Sequence, residues 1–196
     1  MFDSLYSLPT IVSMQRYLVE ALGTFVLLFL TTFTFLEASQ NVLLGALVAA
    51  TSYAVLMILF QSISGAHCNP AVSLGAWVGR SLSTHDLVPY FLAQCIGGIG
   101  GILLLSFVVS GNDEIVALGE TVLSGIPIWK VIALEAVFTS CLTLAIVLPR
   151  RMGISPHIAA LIVGIFLFAL HLFVLPGIPG YLASLNPVRT IAPLVV

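Results

Sequence analysis

The stretch SGAHCNPAVSLG, Ser64 to Gly75, decides how the rest of the chain is read. It follows an uncharged run, Val42–Ile63, and then breaks into small and polar residues. Its Asn69-Pro70 pair has a counterpart at Asn186-Pro187. Asn is a favoured helix N-cap and Pro is tolerated in the first helical turn, so each pair marks a helix start. The apolar runs after these pairs, within His67–Val78 and Leu185–Val196, are about half the ~20 residues that a spanning helix needs. Each therefore reads as a short helix, 69–78 and 186–196, that enters a membrane without crossing it.

Composition makes a membrane the surrounding solvent. Of 196 residues, 60% are hydrophobic and 7% charged, with a mean hydropathy of +1.18. A soluble domain carries about 25% charged residues. Five runs are long enough to cross a hydrocarbon core: Tyr17–Leu36, Val42–Ile63, Asp86–Val109, Ile128–Leu148 and Pro156–Leu175. Glu37–Asn41 reads as a polar turn, Ser110–Pro127 as an acidic loop, and Pro149–Gly153 as a basic turn. The expected fold class is an all-α polytopic membrane protein with five full spans and two re-entrant half-helices. The N-terminus lacks a basic n-region and a small-residue cleavage site, so the first run is expected to be a retained span.

Several function classes are disfavoured. Six Lys and Arg in all argue against a nucleic-acid partner. Cys68, Cys95 and Cys141 are odd in number and set in apolar surroundings, which implies no disulfide framework. No nucleophile–base pair or metal-spaced cluster occurs, so neither an enzyme, a metal nor a cofactor is expected.

Orientation is set by the basic residues. A cytoplasmic N-terminus puts Arg16, Arg80, Arg150 and Arg151 inside, and the acidic loop outside. This works only if the 67–78 segment enters and leaves on the cytoplasmic face.

An internal repeat supports that reading. Glu20 and Thr24 open the first span, and Glu135 and Thr139 recur in the fourth. Asn-Pro comes after each Glu by 49 and 51 residues, so the halves are offset by 115 residues at Glu and 117 at Asn. The expected division is 1–111 and 112–196. Three spans in the first half make the second inverted, an arrangement that builds permeation sites at the midplane. Two half-helix N-termini would meet there, each with free N–H groups and a partial positive charge. Such a path donates hydrogen bonds to neutral solutes and opposes cations, including a hydrated proton. The plainer alternative is that both Asn side chains merely cap helices in a packed core.

SGAHCNPAVSLG and SLNPVRTIAP, with Glu20 and Glu135 ahead of them, resemble the aquaporin (major intrinsic protein) family over essentially the whole chain. The resemblance implies six tilted helices and two half-helices around one pore per protomer, assembled as tetramers in the cell membrane. It implies passive, single-file conduction of water, and of small neutral solutes, past Asn69, Pro70 and Ala71 and past Asn186, Pro187 and Val188. Carbonyls around 65–68 and 183–185 would accept hydrogen bonds along the path. Arg189, costly at membrane depth and therefore functional, would form an outer constriction with Ala49, Ala183 and His171. The spacing from His171 to Asn186 is three residues longer than the family pattern, and an ungapped count gives Val174 instead. Glu20 and Glu135 read as acceptors for half-helix N–H groups, with a proton relay as the alternative, and His67 as a brace. Cys68, beside Asn69, is a candidate site for a thiol reagent. Gly97, Gly98, Gly100 and Gly101 would permit close helix approach.

The selectivity indicators conflict. Thr190 and Leu194 match the water-conducting branch, and they carry more weight. Ala49 and Ala183 leave room for larger neutral solutes. Two departures from the family stand out. Val188 replaces an alanine and adds bulk near the midplane, and no sixth span comes after the second half-helix. The alternative function is a non-conducting, truncated relative that acts by assembling with full-length channels. A proton-coupled transporter using Glu20 and Glu135 is a third reading.

Overall fold

The computed structural model describes residues 9–37, 41–109, 125–178 and 183–196, and among these every regular element is helical. In chain order they are α1 (Pro9–Glu37), α2 (Val42–Phe60), α3 (Pro70–Val78), α4 (Thr84–Val109), α5 (Ile128–Arg151), α6 (Pro156–Ala169) and α7 (Pro187–Val195). A π-helical turn, Leu170–Val174, and a 3-10 turn, Leu175–Gly177, extend α6. Five helices are long and apolar enough to cross a membrane, while α3 and α7 have nine residues each. Residues 38–40, 110–124 and 179–182 are not described, so the 111/112 repeat boundary lies outside the described residues.

Three boundaries differ from the sequence reading. α1 begins about two turns earlier, at Pro9, a residue suited to the first helical turn. α5 continues through Pro149, and Arg150 and Arg151 occupy its last turn, where the negative end of the helix favours them. The fifth span does not stay α-helical to Leu175. Its π turn accommodates an additional residue in the helix and rotates the side chains beyond it.

Helix packing reverses the polarity of a soluble core. Glu20, Thr24, Ser73 and Gln94 are fully buried, whereas Phe107 is 78% and Ile96 70% exposed. Lipid tails are the solvent that tolerates such a surface, and the chain is an integral membrane protein. α1 and α4 form the closest pair. Gly97 lies against the Ala21 carbonyl, and a Cβ at Gly101 would come within 2.6 Å of the Phe25 carbonyl oxygen. Only glycine permits that approach.

The helix α3 returns to the end at which α2 finished. There Arg16 pairs with Asp86 at 3.1 Å, Arg150 reaches the Gly65 carbonyl, and Arg151 lies beside Gly79. α1 and α5 each present a Glu to the loop that leads into a short helix, α3 or α7. α4 packs against α1 and α3 in the first half. The matching flank of α5 and α7 is an open groove of about 600 Å³, lined by Val131, Glu135, Thr139, Thr190 and Leu194 among others.

Candidate permeation site

The two loops that precede α3 and α7 are held in strained backbone by carboxylates from α1 and α5. Ala66, Cys68 and Leu185 have φ near +50°, which costs an L-residue about 1–2 kcal/mol each. Glu20 secures the first loop, accepting hydrogen bonds from His67 N at 2.9 Å, Cys68 N at 2.6 Å, Ser64 Oγ at 2.6 Å and Gln94 Nε2 at 2.8 Å. Glu135 accepts from Ser184 N at 2.7 Å and Leu185 N at 2.9 Å. Both carboxylates thus receive the two backbone N–H groups that immediately precede an Asn. His67 adds a contact of 3.1 Å from Nδ1 to Ser73 Oγ, tying the loop to α3.

Asn69 and Asn186 cap their helices, with Oδ1 accepting from Ala71 N at 2.9 Å and Val188 N at 3.0 Å. Each amide also reaches the loop ahead of the other short helix. Asn69 Nδ2 donates to the Leu185 carbonyl at 2.6 Å, and Asn186 Nδ2 to the Cys68 carbonyl at 3.0 Å. A carboxamide carries two N–H donors, so each Asn keeps one beyond this bond. Pro70 and Pro187 occupy the first turn and demand no ladder bond.

One cavity of about 290 Å³ runs from the end of the bundle carrying Asn41 and Leu175 down to both Asn residues. Ala49, His171, Ala183 and Arg189 all contribute to its wall. Arg189 Nη1 donates to the Ala183 carbonyl at 3.3 Å. His171 Nδ1 lies 2.8 Å from the Leu167 carbonyl. That oxygen can only accept, so Nδ1 carries the hydrogen and Nε2 is the acceptor of the neutral ring. His171 lines the cavity and Val174 does not.

Other sequence-singled residues lie elsewhere. Cys68 is buried with its sulfur against Gly23 of α1, off the cavity wall. Ala71 lies on the groove side of α3. Val188 is not among the residues that line the cavity. Its side chain packs against Gly98 and within the Leu28 and Ile102 cluster, away from the cavity. Sequence reasoning missed Gln94, Tyr90, Tyr53 and Arg150. Tyr90 donates to the Ser64 carbonyl at 2.6 Å, and Tyr53 to the His67 carbonyl. The legible signal for Tyr53 was its position four residues after Ala49 on one helix face.

Two half-helices joined N-terminus to N-terminus beneath a solute-sized cavity define a membrane channel fold. Residues 7–196 match the family model described as Major intrinsic protein, and the chain belongs to that family, whose members are channels rather than enzymes. It is 34% identical over 185 residues to glycerol uptake facilitator protein-like 6 of Lactiplantibacillus plantarum, covering 93% of this chain and 84% of that protein. It is 29% identical over 194 residues to aquaporin Z of Photorhabdus laumondii, covering 91% and 83%. Its fold matches the X-ray structure of the aquaglyceroporin from Plasmodium falciparum with a TM-score of 0.81 at 23% identity, over 93% of this chain and 80% of that one.

Proposed function

We propose that this chain conducts water, and small neutral solutes more slowly, in single file while excluding protons and ions. The cavity that brings Asn69, Asn186, His171 and Arg189 into one wall carries this reading. Its donors are the second N–H of each Asn and the Arg189 guanidinium, and its acceptor is His171 Nε2. A neutral molecule with both hydrogen-bonding roles can exchange along them. A cation meets Arg189 and then two positive helix ends. Ala49 and Ala183 leave the outer ring wide enough for solutes larger than water. The relatives include both a glycerol facilitator-like protein and an aquaporin.

The same proposal takes 1–111 and 112–196 as inverted repeats. It places the N-terminus in the cytoplasm, because Arg16, Arg150 and Arg151 share one end of the bundle. It takes the assembly to be a homotetramer in the cell membrane. Osmotic shrinkage of proteoliposomes in sorbitol and then glycerol is the test. Faster shrinkage than empty vesicles is expected in both, with partial recovery in glycerol. Shrinkage equal to that of empty vesicles would remove the channel reading. Arg189→Ala is expected to admit protons, read as decay of an imposed pH gradient.

The open groove beside Glu135 favours one second reading, in which the chain works by assembling with full-length channels. Co-purification with a longer homologue, without conductance of its own, is the outcome that would select it.

A further inference from the structure

We propose that Tyr53 is the size filter of this pore, set one helical turn below the outer ring. The inference rests on the channel reading and assigns selectivity to a different residue. Along the face of α2 that lines the cavity, Gly45, Ala46 and Ala49 are small, and Tyr53 comes next. Four residues advance a helix by about 6 Å, so the Tyr53 backbone lies roughly that far along α2 from Ala49.

At this level the cavity is surrounded by large side chains. Leu142 of α5 and Leu167 of α6 join Tyr53 and Asn69 in its floor, and all four are nearly inaccessible. The ring is not free to swing aside, because its hydroxyl donates to the His67 carbonyl. Tyr53 is therefore clamped between α2 and the loop that carries Asn69.

That bond also changes what a solute meets. In the first loop the Ser64, Gly65 and His67 carbonyls already accept from Tyr90, Arg150 and Tyr53. A molecule moving inward from the Asn pair meets the His67 carbonyl with one lone pair already engaged, and takes the other, turns to a neighbouring loop carbonyl or displaces the phenol. Water fits either role with one small oxygen. A three-carbon polyol must pass its carbon backbone beside the ring while its hydroxyls compete for the same acceptor. The two conflicting indicators are thereby reconciled. Ala49 and Ala183 admit a polyol to the outer cavity, and Tyr53 slows it there.

The test is stopped-flow light scattering of proteoliposomes holding the full chain, with sorbitol and glycerol as osmolytes. Tyr53→Val is expected to raise glycerol permeability relative to water by about tenfold, since pore diameter sets the barrier. Tyr53→Phe keeps the ring but frees it from the His67 carbonyl, and is expected to raise the ratio by about threefold, well short of the Val variant. Adding Ala49→Phe to Tyr53→Val is expected to restore glycerol exclusion, by moving the aromatic up one turn. The Phe variant, which retains the packing volume, covers any loss of folding in the Val variant, monitored by size-exclusion elution. If water is conducted and Tyr53→Val leaves the ratio unchanged, or Tyr53→Phe alters it as much as Val does, the filter is overturned and the channel stands. If wild type and all variants match empty vesicles, the channel reading falls and the filter with it.

Discussion

Glu20 accepts four hydrogen bonds in a fully buried site, whereas Glu135 accepts two and stands half-buried at the edge of an open groove. The two carboxylates hold equivalent loops, and the difference between them comes from α4. Gln94 on that helix bridges Glu20 to Ser73 of α3, at 2.8 Å to each. Among the described residues no helix brings such an amide to Glu135 and Thr190. The same backbone anchor thus occurs twice among the described residues, and α4 closes a network around the one at Glu20. The backbone N–H contacts are common to both halves and set the loop geometry. Among the described residues the side-chain donors, Ser64 and Gln94, belong to Glu20 and make its loop the more tightly held.

The comparison is most severely tested by truncating both acceptors. Glu20→Ala strands several buried donors and is expected to lower stability by at least about 3 kcal/mol, against ~1–2 kcal/mol for Glu135→Ala. Thermal unfolding in detergent micelles measures both, and equal losses would mean that the open flank is irrelevant. Adding bulk probes the same flanks from outside. Gly97→Leu drives a side chain into the α1 backbone and is expected to cost about 3 kcal/mol, while Ala136→Leu in the groove should stay within ~0.5 kcal/mol. Removing the bridge itself by Gln94→Leu should cost about 1–2 kcal/mol, and should bring the Glu20 half closer to the behaviour of the Glu135 half. The smallest effect is expected from Val188→Ala. It empties a small volume beside Gly98, at about 1 kcal/mol, yet leaves water permeability unchanged because the side chain is off the cavity wall. A changed permeability would return Val188 to the path.

Much of the fold was legible because membrane helices advertise themselves locally. Length, hydropathy, the Asn-Pro caps and the spacing from each Glu to its Asn are all properties of short segments. They yielded five spans, two half-helices and the pairing of Glu20 with Glu135. The ends were less legible, since Pro149 and the π turn at Leu170–Val174 depend on how neighbouring helices satisfy the backbone. Which of His171 and Val174 faces the cavity depends on that turn, because it rotates the side chains beyond it.

By itself the sequence determined that the chain lives in lipid, crosses it with five long helices, and carries two short helices that each begin at an Asn-Pro pair. Hydrocarbon forbids unpaired backbone polar groups, so few arrangements of these segments survive. Tertiary structure alone decided which side chains close the loops and which meet the cavity. Gln94 reaches Glu20 across 74 residues of chain, and Arg150 reaches the Gly65 carbonyl across 85. Tyr53 turns to the His67 carbonyl, and Val188 finds room because Gly98 has no side chain. These choices are made by packing between distant segments, a matter of shape complementarity that no local pattern of residues records.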